Sequence, residues 1–468
     1  MAKILMIQIQ SAPYAGTAYL SGAVKSKGHN FILYVGNKID RILHKISEEK
    51  PDIIGFSCMS SFHKEVLSIA KKIKKAYDIP IIIGGPHATL FPDVINNDSV
   101  DMICRGEGEF ALIDLLEAIK DKRSYNNIKN LWVKSKDKVH KNGLRDLVDP
   151  LDNLPLIDWS CYKDQGVLET SPPIVFLIRG CPYSCSYCFN ESTRNLYKEL
   201  GKYVRHFSVD RSILEIKRAL EYFSQSPVLF TSDSFGIDLK WMDELLMKYS
   251  KITKLPFVLL LRPELASEKC IDILAKYNCF SVAIGVESGS ERVRKNILNR
   301  HYSNEDLINV AKRMHSHNIK FRTYNMIGLP TETEDEMWET IDINIKMKTD
   351  FPRGAIFTPM PDTKIVEIAK EYDYLDSDFC FDSIPSSIFQ TTILKNVDAD
   401  RIKNTLYFFQ TAIIFPKLRN FIKKINKLKP NPIFKYWFYF IYAYLHKKSE
   451  KRALIPYIKY LFQNRNQI

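Results

Sequence analysis

The sequence predicts an α/β protein: a doubly wound, flavodoxin-like domain, then a partial (β/α)6 barrel, then a helical C-terminal extension. Three observations predict it. Short apolar runs alternate with amphipathic stretches from residue 4 to residue 357, the pattern of parallel strands joined by helical crossovers. The alternation pauses over a Pro- and Asp-rich stretch at residues 148–159 and then resumes, dividing most of the 468 residues into two α/β parts. Past residue 400 the character changes. Residues 401–468 hold 15 Lys/Arg and one acidic residue, Glu450, whereas the preceding 400 residues hold 52 Lys/Arg and 53 Asp/Glu.

The net charge of +13 therefore belongs to the tail, and the body is close to neutral. Of the nine cysteines, those outside one loop are scattered through apolar runs, as expected of small hydrophobes in a reducing cytosol. The N-terminal residues enter a strand-like run at once, without the apolar core and small-residue cleavage site of a signal peptide. A cytoplasmic protein is expected.

In residues 1–125, the runs at 4–9, 31–35, 53–57, 81–83 and 102–104 read as buried parallel strands. The stretches at 19–27, 38–49, 63–76 and 110–120 read as the helices between them. Ligands of such sheets sit at the carboxyl ends of the strands. Three of those ends carry small or flexible residues: Gly55-Phe56-Ser57, Gly84-Gly85-Pro86-His87-Ala88-Thr89 and Arg105-Gly106-Glu107-Gly108-Glu109. Glycine there lets backbone approach a flat ligand or a phosphate closely. Residues 126–170 read as an interdomain linker, with a hairpin about Lys141-Asn142-Gly143 and no chemistry of their own.

Residues 171–372 form six β/α units. Strands are expected at 174–178, 228–231, 257–261, 281–284, 321–326 and 354–357, with helices at 210–223, 239–249, 267–277, 304–317 and 332–346. Directly after the first strand comes Gly180-Cys181-Pro182-Tyr183-Ser184-Cys185-Ser186-Tyr187-Cys188-Phe189. Thiolates are soft ligands that hold iron–sulfur clusters. A cubane cluster held by three of them leaves one iron open to substrate or cofactor, unlike a four-cysteine electron carrier. A structural zinc site wants a fourth Cys or His at short spacing; none lies in the loop, and the nearest downstream histidine is His206.

The CxxxCxxC spacing, with aromatic Tyr187 before the last cysteine, resembles the cluster loop of the radical S-adenosylmethionine (SAM) enzymes. The resemblance implies a [4Fe-4S] cluster on Cys181, Cys185 and Cys188, whose open iron chelates SAM. Reductive cleavage then yields a 5′-deoxyadenosyl radical. Later strand ends agree in order. Thr231-Ser232-Asp233-Ser234-Phe235 stands where the family has an acidic run, Arg262 follows the third strand, and Gly285-Val286-Glu287-Ser288-Gly289-Ser290 is similar to G-[IV]-E-S-G-[SD]. Ile327-Gly328-Leu329-Pro330-Thr331-Glu332-Thr333 is similar to the G-L-P-G-E-T turn, with Thr331 in place of Gly. By this resemblance Tyr187, Asp233, Ser234, Arg262, Glu287, Ser288 and Gly328 contact SAM, and Arg322 is a further candidate. Where the family often has P-[YF]-P-G-T, this chain reads Pro359-Met360-Pro361-Asp362-Thr363. Tyr324, Asn325 and Asp362 are substrate candidates at the barrel mouth.

The GGPHAT run and the D-x-I-x-x-G-E-G-E run from Asp101 to Glu109 look like the cobalamin-binding domain that precedes many such barrels. Ser57, Gly84, Gly85, His87, Gly106 and Glu107 are the matching positions. The D-x-H-x-x-G motif that supplies a histidine to cobalt is absent, so cobalamin would bind without that lower ligand.

The resemblance implies a cobalamin-dependent radical SAM enzyme that methylates an unactivated carbon. Radical cyclisation, rearrangement or oxidation without methyl transfer is the alternative outcome. A cobalamin- or metal-sensing binding protein is the alternative from another class. An electron donor of the flavodoxin or ferredoxin kind is implied; the substrate is a small molecule, a lipid or a peptide.

The tail leaves three readings open. Its run at 433–445 is dense in aromatics, flanked by Lys423, Lys424, Lys427 and Lys429 before and by Lys447 and Lys448 after. About 13 residues fall short of the ~20 that span a bilayer. The run suits a helical cap on the barrel, a membrane surface with the enzyme peripheral to it, or an acidic partner; no nucleic-acid-binding module is evident.

Overall fold

The computed structural model describes residues 1–135, 138–232, 234–384 and 391–449. The chain falls into two units. One comprises Met1–Ile174 with Thr193–Ser224, and the other Val175–Ser192 with Gln225–Ile468.

The first unit holds β1 (Lys3–Gln8), α1 (Ala15–Ser26), β2 (Asn30–Val35), α2 (Ile39–Glu49), β3 (Ile53–Ser57), α3 (His63–Ala76), β4 (Ile81–Gly84), the short α4 (Pro86–Leu90), β5 (Met102–Cys104) and α5 (Glu109–Lys120). Strands β1 to β5 pair in parallel in the order β2-β1-β3-β4-β5. The direction of winding therefore reverses between β1 and β3, the place where flavodoxin-like sheets bind ligands. The strands are Ile-rich because both faces are covered: α2 and α3 pack on one, with Ile42, Ile46, Val66, Ile69 and Ile73 against Ile54, Phe56, Ile81 and Ile83. Helices α1 and α5 pack together as a second pair.

Residues 126–170 are part of this unit rather than a free linker. β6 (Leu131–Lys134) and β7 (Val139–Lys141) extend the sheet in antiparallel fashion beyond β5. The β6–β7 pair closes with the Ser135 N–H donating to Lys138 O at 2.8 Å, before the Lys141-Asn142-Gly143 position expected for the hairpin turn. Asn142 instead ties the hairpin down, donating from Nδ2 to the carbonyls of Asn126 (2.8 Å) and Leu131 (2.7 Å). Beyond it, Leu151, Leu154, Ile157, Trp159 and Tyr162 are buried.

The second unit begins within β8 (Ile174–Val175) and carries β9 (Ile178–Arg179) and the cysteine loop; the chain then leaves it within α6 (Phe189–Leu196). β10 (Arg205–His206) and α7 (Val209–Tyr222) belong to the first unit. Helix α7, expected as a barrel helix, packs there because its apolar face meets the Trp159–Tyr162 turn. The Phe223 ring stands edge-on to Trp159 at 4.9 Å, and Arg211 Nη2 donates to Pro155 O at 2.9 Å.

The second unit resumes with β11 (Val228–Phe230), α8 (Leu239–Ile252), β12 (Phe257–Leu261), α9 (Glu268–Lys276), β13 (Cys279–Glu287), α10 (Asn304–Ser316), β14 (Lys320–Ile327), α11 (Glu334–Lys346), β15 (Phe351–Ile356) and α12 (Lys364–Glu371). Six strands stand in sequential order from β8 through β11 to β15, the arrangement of the expected (β/α)6 barrel. Capping boxes start α10 (Ser303 with Asp306) and α11 (Thr333 with Glu336).

The tail begins as a packed cap. α13 (Ala399–Ile414) lies on β15 and α11, burying Leu406, Phe409 and Ile402 against Ile327, Trp338 and Ile356. Each such side chain stabilises the unit by about 1.5–3 kcal/mol. α14 (Arg419–Ile425) and α15 (Pro432–Ser449) follow. α15 packs on α13 through Phe438, with Ile441 and Leu445 also buried. Among the described residues no helix is long and apolar enough to cross a membrane.

Candidate functional site

The cysteine loop starts where a strand breaks. Beyond Val175, whose carbonyl accepts from the Thr231 N–H at 3.0 Å, the backbone leaves the sheet ladder. The Ser232 hydroxyl fills the gap, accepting from the N–H groups of Leu177 (3.0 Å) and Ile178 (3.2 Å). One side chain thus satisfies two donors that would otherwise be stranded in the core. Ser234, expected at SAM, donates its hydroxyl to the Gly180 carbonyl at 3.0 Å and so holds the first residue of the loop. Asp233, also expected at SAM, lies outside the described residues.

The rest of the loop is tied to two distant segments. Ser186 donates from Oγ to Ile297 O (2.5 Å) and from its N–H to Leu298 O (3.2 Å). Asn299 Nδ2 donates to Ser184 O at 2.7 Å, and the Ile365 N–H at the start of α12 donates to Ser186 O at 2.9 Å.

Cys181 and Cys185 are buried and Cys188 is half-buried. Burial pushes the Cys181 thiol up, and the neighbouring Cys188 and Cys185 act in the same direction, so the three thiols lie within reach of each other's charge. Two of the sulfurs have side-chain donors: Arg262 Nη1 at 3.0 Å from Cys185 Sγ, and Asn190 Nδ2 at 3.8 Å from Cys188 Sγ. The Arg262 guanidinium stands 3.7 Å from the centre of the Tyr183 ring and donates from Nη2 to Glu264 at 2.6 Å. Among the described residues no trio of His, Cys, Asp or Glu converges as the ligands of a single ion do. A cubane binds its thiolates on separate irons and does not need that convergence. Three thiols gathered on a held loop, with a cationic donor on one sulfur and an amide donor on another, fit such a cluster.

A second group gathers at the end of β13. The register with β14 slips between Gly285 and Glu287, and Glu287 takes a left-handed φ of 64°. Its carboxylate folds back over Gly285, where any Cβ would stand 2.2 Å from Glu287 Oε1; this is why glycine precedes it. Arg300 clamps the arrangement, donating from Nη1 to Glu287 Oε1 (2.7 Å) and to the Tyr187 hydroxyl (2.8 Å). Two expected SAM contacts, Glu287 and Tyr187, are thereby joined through a buried arginine that the sequence reading did not single out. Gly289 meets α11 so closely that a Cβ would lie 2.2 Å from the Glu339 carbonyl.

A third group surrounds Glu332. Its carboxylate accepts from the N–H groups of Gly328 (2.8 Å) and Leu329 (3.1 Å) and from Ser288 Oγ (3.2 Å). Burial nonetheless pushes its pKa up to about 7. Glu332 unites Ser288 and Gly328, both expected at SAM, while the Gly328 α-carbon is turned toward Ile402 of α13. The Thr331 that replaces glycine keeps a left-handed φ of 65°, held by Arg292, which donates to its carbonyl (2.8 Å) and its hydroxyl (3.1 Å). Asp362 does likewise, with φ 64° and its carbonyl accepting from Ser192 Oγ at 2.7 Å. Both turns retain the glycine-like backbone.

One substrate candidate faces the wrong way. Asn325 is buried in a polar network with Thr323, Asn344 and the Arg353 carbonyl. Neighbours on a strand point to opposite faces, so Tyr324 and Asn325 do not line one mouth. Arg322 shares the Tyr324 face, lying 3.4 Å from its hydroxyl and donating to Ser449 Oγ at 2.7 Å.

In the first unit, Gly85 takes φ 92°, bringing a Cβ position within 3.0 Å of Cys58 backbone and 3.4 Å of Ser57 Oγ; Gly84 lies just before it at the end of β4. His87 is buried, stacked on His63 at 4.7 Å, with Nδ1 3.3 Å from Ser60 Oγ. At the end of β1, Gln10 Nε2 is buried with no partner. The Gly85 α-carbon is thus packed on the chain's own Cys58 backbone, while the uncrowded Gly84 and the unpaired Gln10 donor at the carboxyl ends of β4 and β1 fit a large flat polar cofactor. The end of β5 does not present its two expected contacts in that way. A Cβ on Gly106 would collide with the Tyr197 hydroxyl, which itself accepts from the Glu107 N–H at 2.9 Å. The Glu107 carboxylate is held by Arg205 (2.7 and 3.3 Å) and the Val148 N–H (3.1 Å). Tyr197 and Arg205 come from residues far along the chain, which sequence proximity does not reveal.

Two family models match. The radical SAM superfamily model matches residues 175–343, and the B12 binding domain model matches residues 10–116. The chain is 26% identical to the uncharacterized methyltransferase PH0819 of Pyrococcus horikoshii over 375 residues, 77% of this chain and 79% of that one. It is 23% identical to the anaerobic magnesium-protoporphyrin IX monomethyl ester cyclase of Rubrivivax gelatinosus over 383 residues, 75% of this chain and 65% of the cyclase. Among solved structures, OxsB, a cobalamin-dependent SAM radical enzyme, superposes with a TM-score of 0.67 at 16% identity, covering 99% of this chain and 73% of OxsB. The radical SAM methyltransferase TsrM from Kitasatospora setae, solved with cobalamin and a [4Fe-4S] cluster, gives 0.64 at 16% identity, covering 79% and 75%.

Proposed function

The chain belongs to the radical SAM enzymes that carry a B12-binding domain, using a [4Fe-4S] cluster, SAM and cobalamin, and from that premise we propose that it methylates an unactivated carbon. The observation that carries the proposal is the held cysteine loop, with Arg262 on Cys185, in one chain with a B12 module whose relatives include a named methyltransferase.

When bound, the cluster supplies the electron that cleaves SAM, and cobalamin supplies a methyl carrier. Cys181, Cys185 and Cys188 would hold the cluster. Arg262 and Asn190 orient two of the thiolates, and the hydrogen bonds from Ser232, Ser234, Ser186 and Asn299 keep the loop rigid. Tyr187, Glu287 and Arg300 form one preorganised wall whose remaining acceptors suit SAM hydroxyl or ammonium groups. Ser288, Gly328 and Glu332 form another. For cobalamin we propose Ser57, Gly84, Gly85 and His87, with Gln10 as an added donor. The substrate would meet Tyr324 and Asp362, and its class stays open among small molecules, lipids and peptides. A flavodoxin- or ferredoxin-like electron donor and a cytoplasmic setting complete the proposal.

The test is anaerobic turnover of the reconstituted full chain with SAM and reductant. Methyl transfer yields both S-adenosylhomocysteine and 5′-deoxyadenosine. 5′-Deoxyadenosine without S-adenosylhomocysteine would reject methyl transfer in favour of cyclisation or another radical outcome, the reading supported by the likeness to the ester cyclase.

A further inference from the structure

The exposed apolar side chains of this protein are concentrated in one place. Of 17 large hydrophobic residues that stand exposed among the described residues, nine lie between 415 and 444. Five of the nine are on α15, at Ile433, Tyr436, Trp437, Phe440 and Tyr444. Their spacing of three or four residues puts them on one helical face, distinct from the face of Phe438, Ile441 and Leu445 that is buried. The exposure is large: 78% for Ile433 and 63% for Phe440. The other four, Phe415, Leu418, Phe421 and Leu428, lie in the turns and short helix that precede α15.

The charge around this stripe has one sign. Residues 401–449 contain 11 Lys/Arg and no Asp or Glu. Lys423 and Arg419 are engaged by Asp335 and Asp342 of α11. Lys424, Lys427, Lys435 and Lys448 are exposed among or beside the apolar side chains.

We infer that the exposed face of α15, with the turns before it, docks on an anionic lipid bilayer surface. A helix with aromatic and aliphatic side chains on one face, bordered by lysines and too short to span, is the kind that lies in the headgroup region. Charge complementarity selects this occupant. A two-fold contact with a second copy would bring the same lysines against themselves. Residues 450–468 hold four Lys/Arg against one Glu, the same sign of charge as this face. Single-stranded nucleic acid stacks on flat rings and gains little from Ile433, Leu418 or Leu428. The inference is independent of the reaction proposed above, because it is read by binding alone.

The test is flotation of the full chain with vesicles of phosphatidylcholine alone or with one third phosphatidylglycerol. Binding is expected at least about tenfold tighter to the anionic vesicles and weakened by added salt. Brominated lipid should quench Trp fluorescence, since Trp437 lies on the docking face. Phe440→Ser with Ile433→Ser, both at exposed positions, should lower vesicle affinity about tenfold with unchanged thermal melting. Lys424→Glu with Lys427→Glu should abolish the preference for anionic lipid. Equal binding to both vesicles, or none, overturns the inference. So does a self-association lost in the Phe440→Ser, Ile433→Ser variant, an oligonucleotide bound in place of vesicles, or vesicle binding that appears only after truncation at Ser449.

Discussion

The Arg262 guanidinium donates to the Cys185 sulfur at 3.0 Å while stacked on Tyr183. Hydrogen bonds and charge at cluster sulfurs set reduction potential, and a fixed cation favours the more negative, reduced state. Arg262→Gln should therefore lower the potential of the reconstituted cluster by tens of millivolts, read by EPR-monitored redox titration. Arg262→Lys keeps the charge but loses the planar fork, and should fall between. An unchanged potential in Arg262→Gln would remove this role.

The Glu107–Arg205 pair separates a structural from a cofactor role. Arg205 is almost wholly buried, and removing one partner of a buried pair costs about 3–5 kcal/mol. Arg205→Met should lower the unfolding free energy by roughly that amount in urea titration. Glu107→Gln should also destabilise while leaving cobalamin affinity within about threefold, since the carboxylate is already committed. A larger loss of cobalamin affinity by equilibrium dialysis would return Glu107 to the cofactor.

Glu332 makes stability fall with rising pH. Its folded pKa of about 7 lies above the unfolded carboxylate value. The folded state then holds more protons than the unfolded one across the interval. The contribution is full below the unfolded pKa and is lost as pH rises through 7. The loss is on the order of 3 kcal/mol in all. Glu332→Gln should flatten the dependence of denaturation midpoint on pH between these limits.

Thr331 holds a left-handed backbone with a β-branched side chain, a conformation that costs about 1–2 kcal/mol. Glycine at this position relieves the strain and gives back part of the gain through unfolded-state entropy and the lost hydroxyl contact to Arg292. Thr331→Gly should raise stability by about 0.5–1 kcal/mol, seen as a higher Tm. A lower Tm would show that the Arg292 clamp outweighs the strain.

Apolar runs made the strands legible. α3 spans His63–Ala76 and β12 spans Phe257–Leu261, as their patterns read. The cysteine loop was legible because its ligands are adjacent in sequence. What stayed hidden depends on residues brought together across long separations. Arg300 meets Tyr187 across more than a hundred residues, and Tyr197 and Arg205 reach Glu107 across about as many. Asn325 was misplaced for a local reason: strand parity puts it with Thr323, on the face opposite Tyr324. The start of the basic tail was masked by its charge, although Leu406 and Phe409 make it part of the barrel's cover.

The route of the chain between its two units has a consequence for synthesis. The first unit is left at Ile174, re-entered at Thr193 and finished only at Ser224. On the ribosome, the thiols of residues 181–188 are made before Tyr197 and Arg205 exist to close around Glu107. Neither unit is therefore a continuous stretch that a gene truncation could release intact. The residues that hold the cluster loop, Ser234, Ile297, Asn299 and Ile365, are made later still, so iron–sulfur loading is expected to follow translation of the second unit through residue 365 rather than accompany synthesis of the loop.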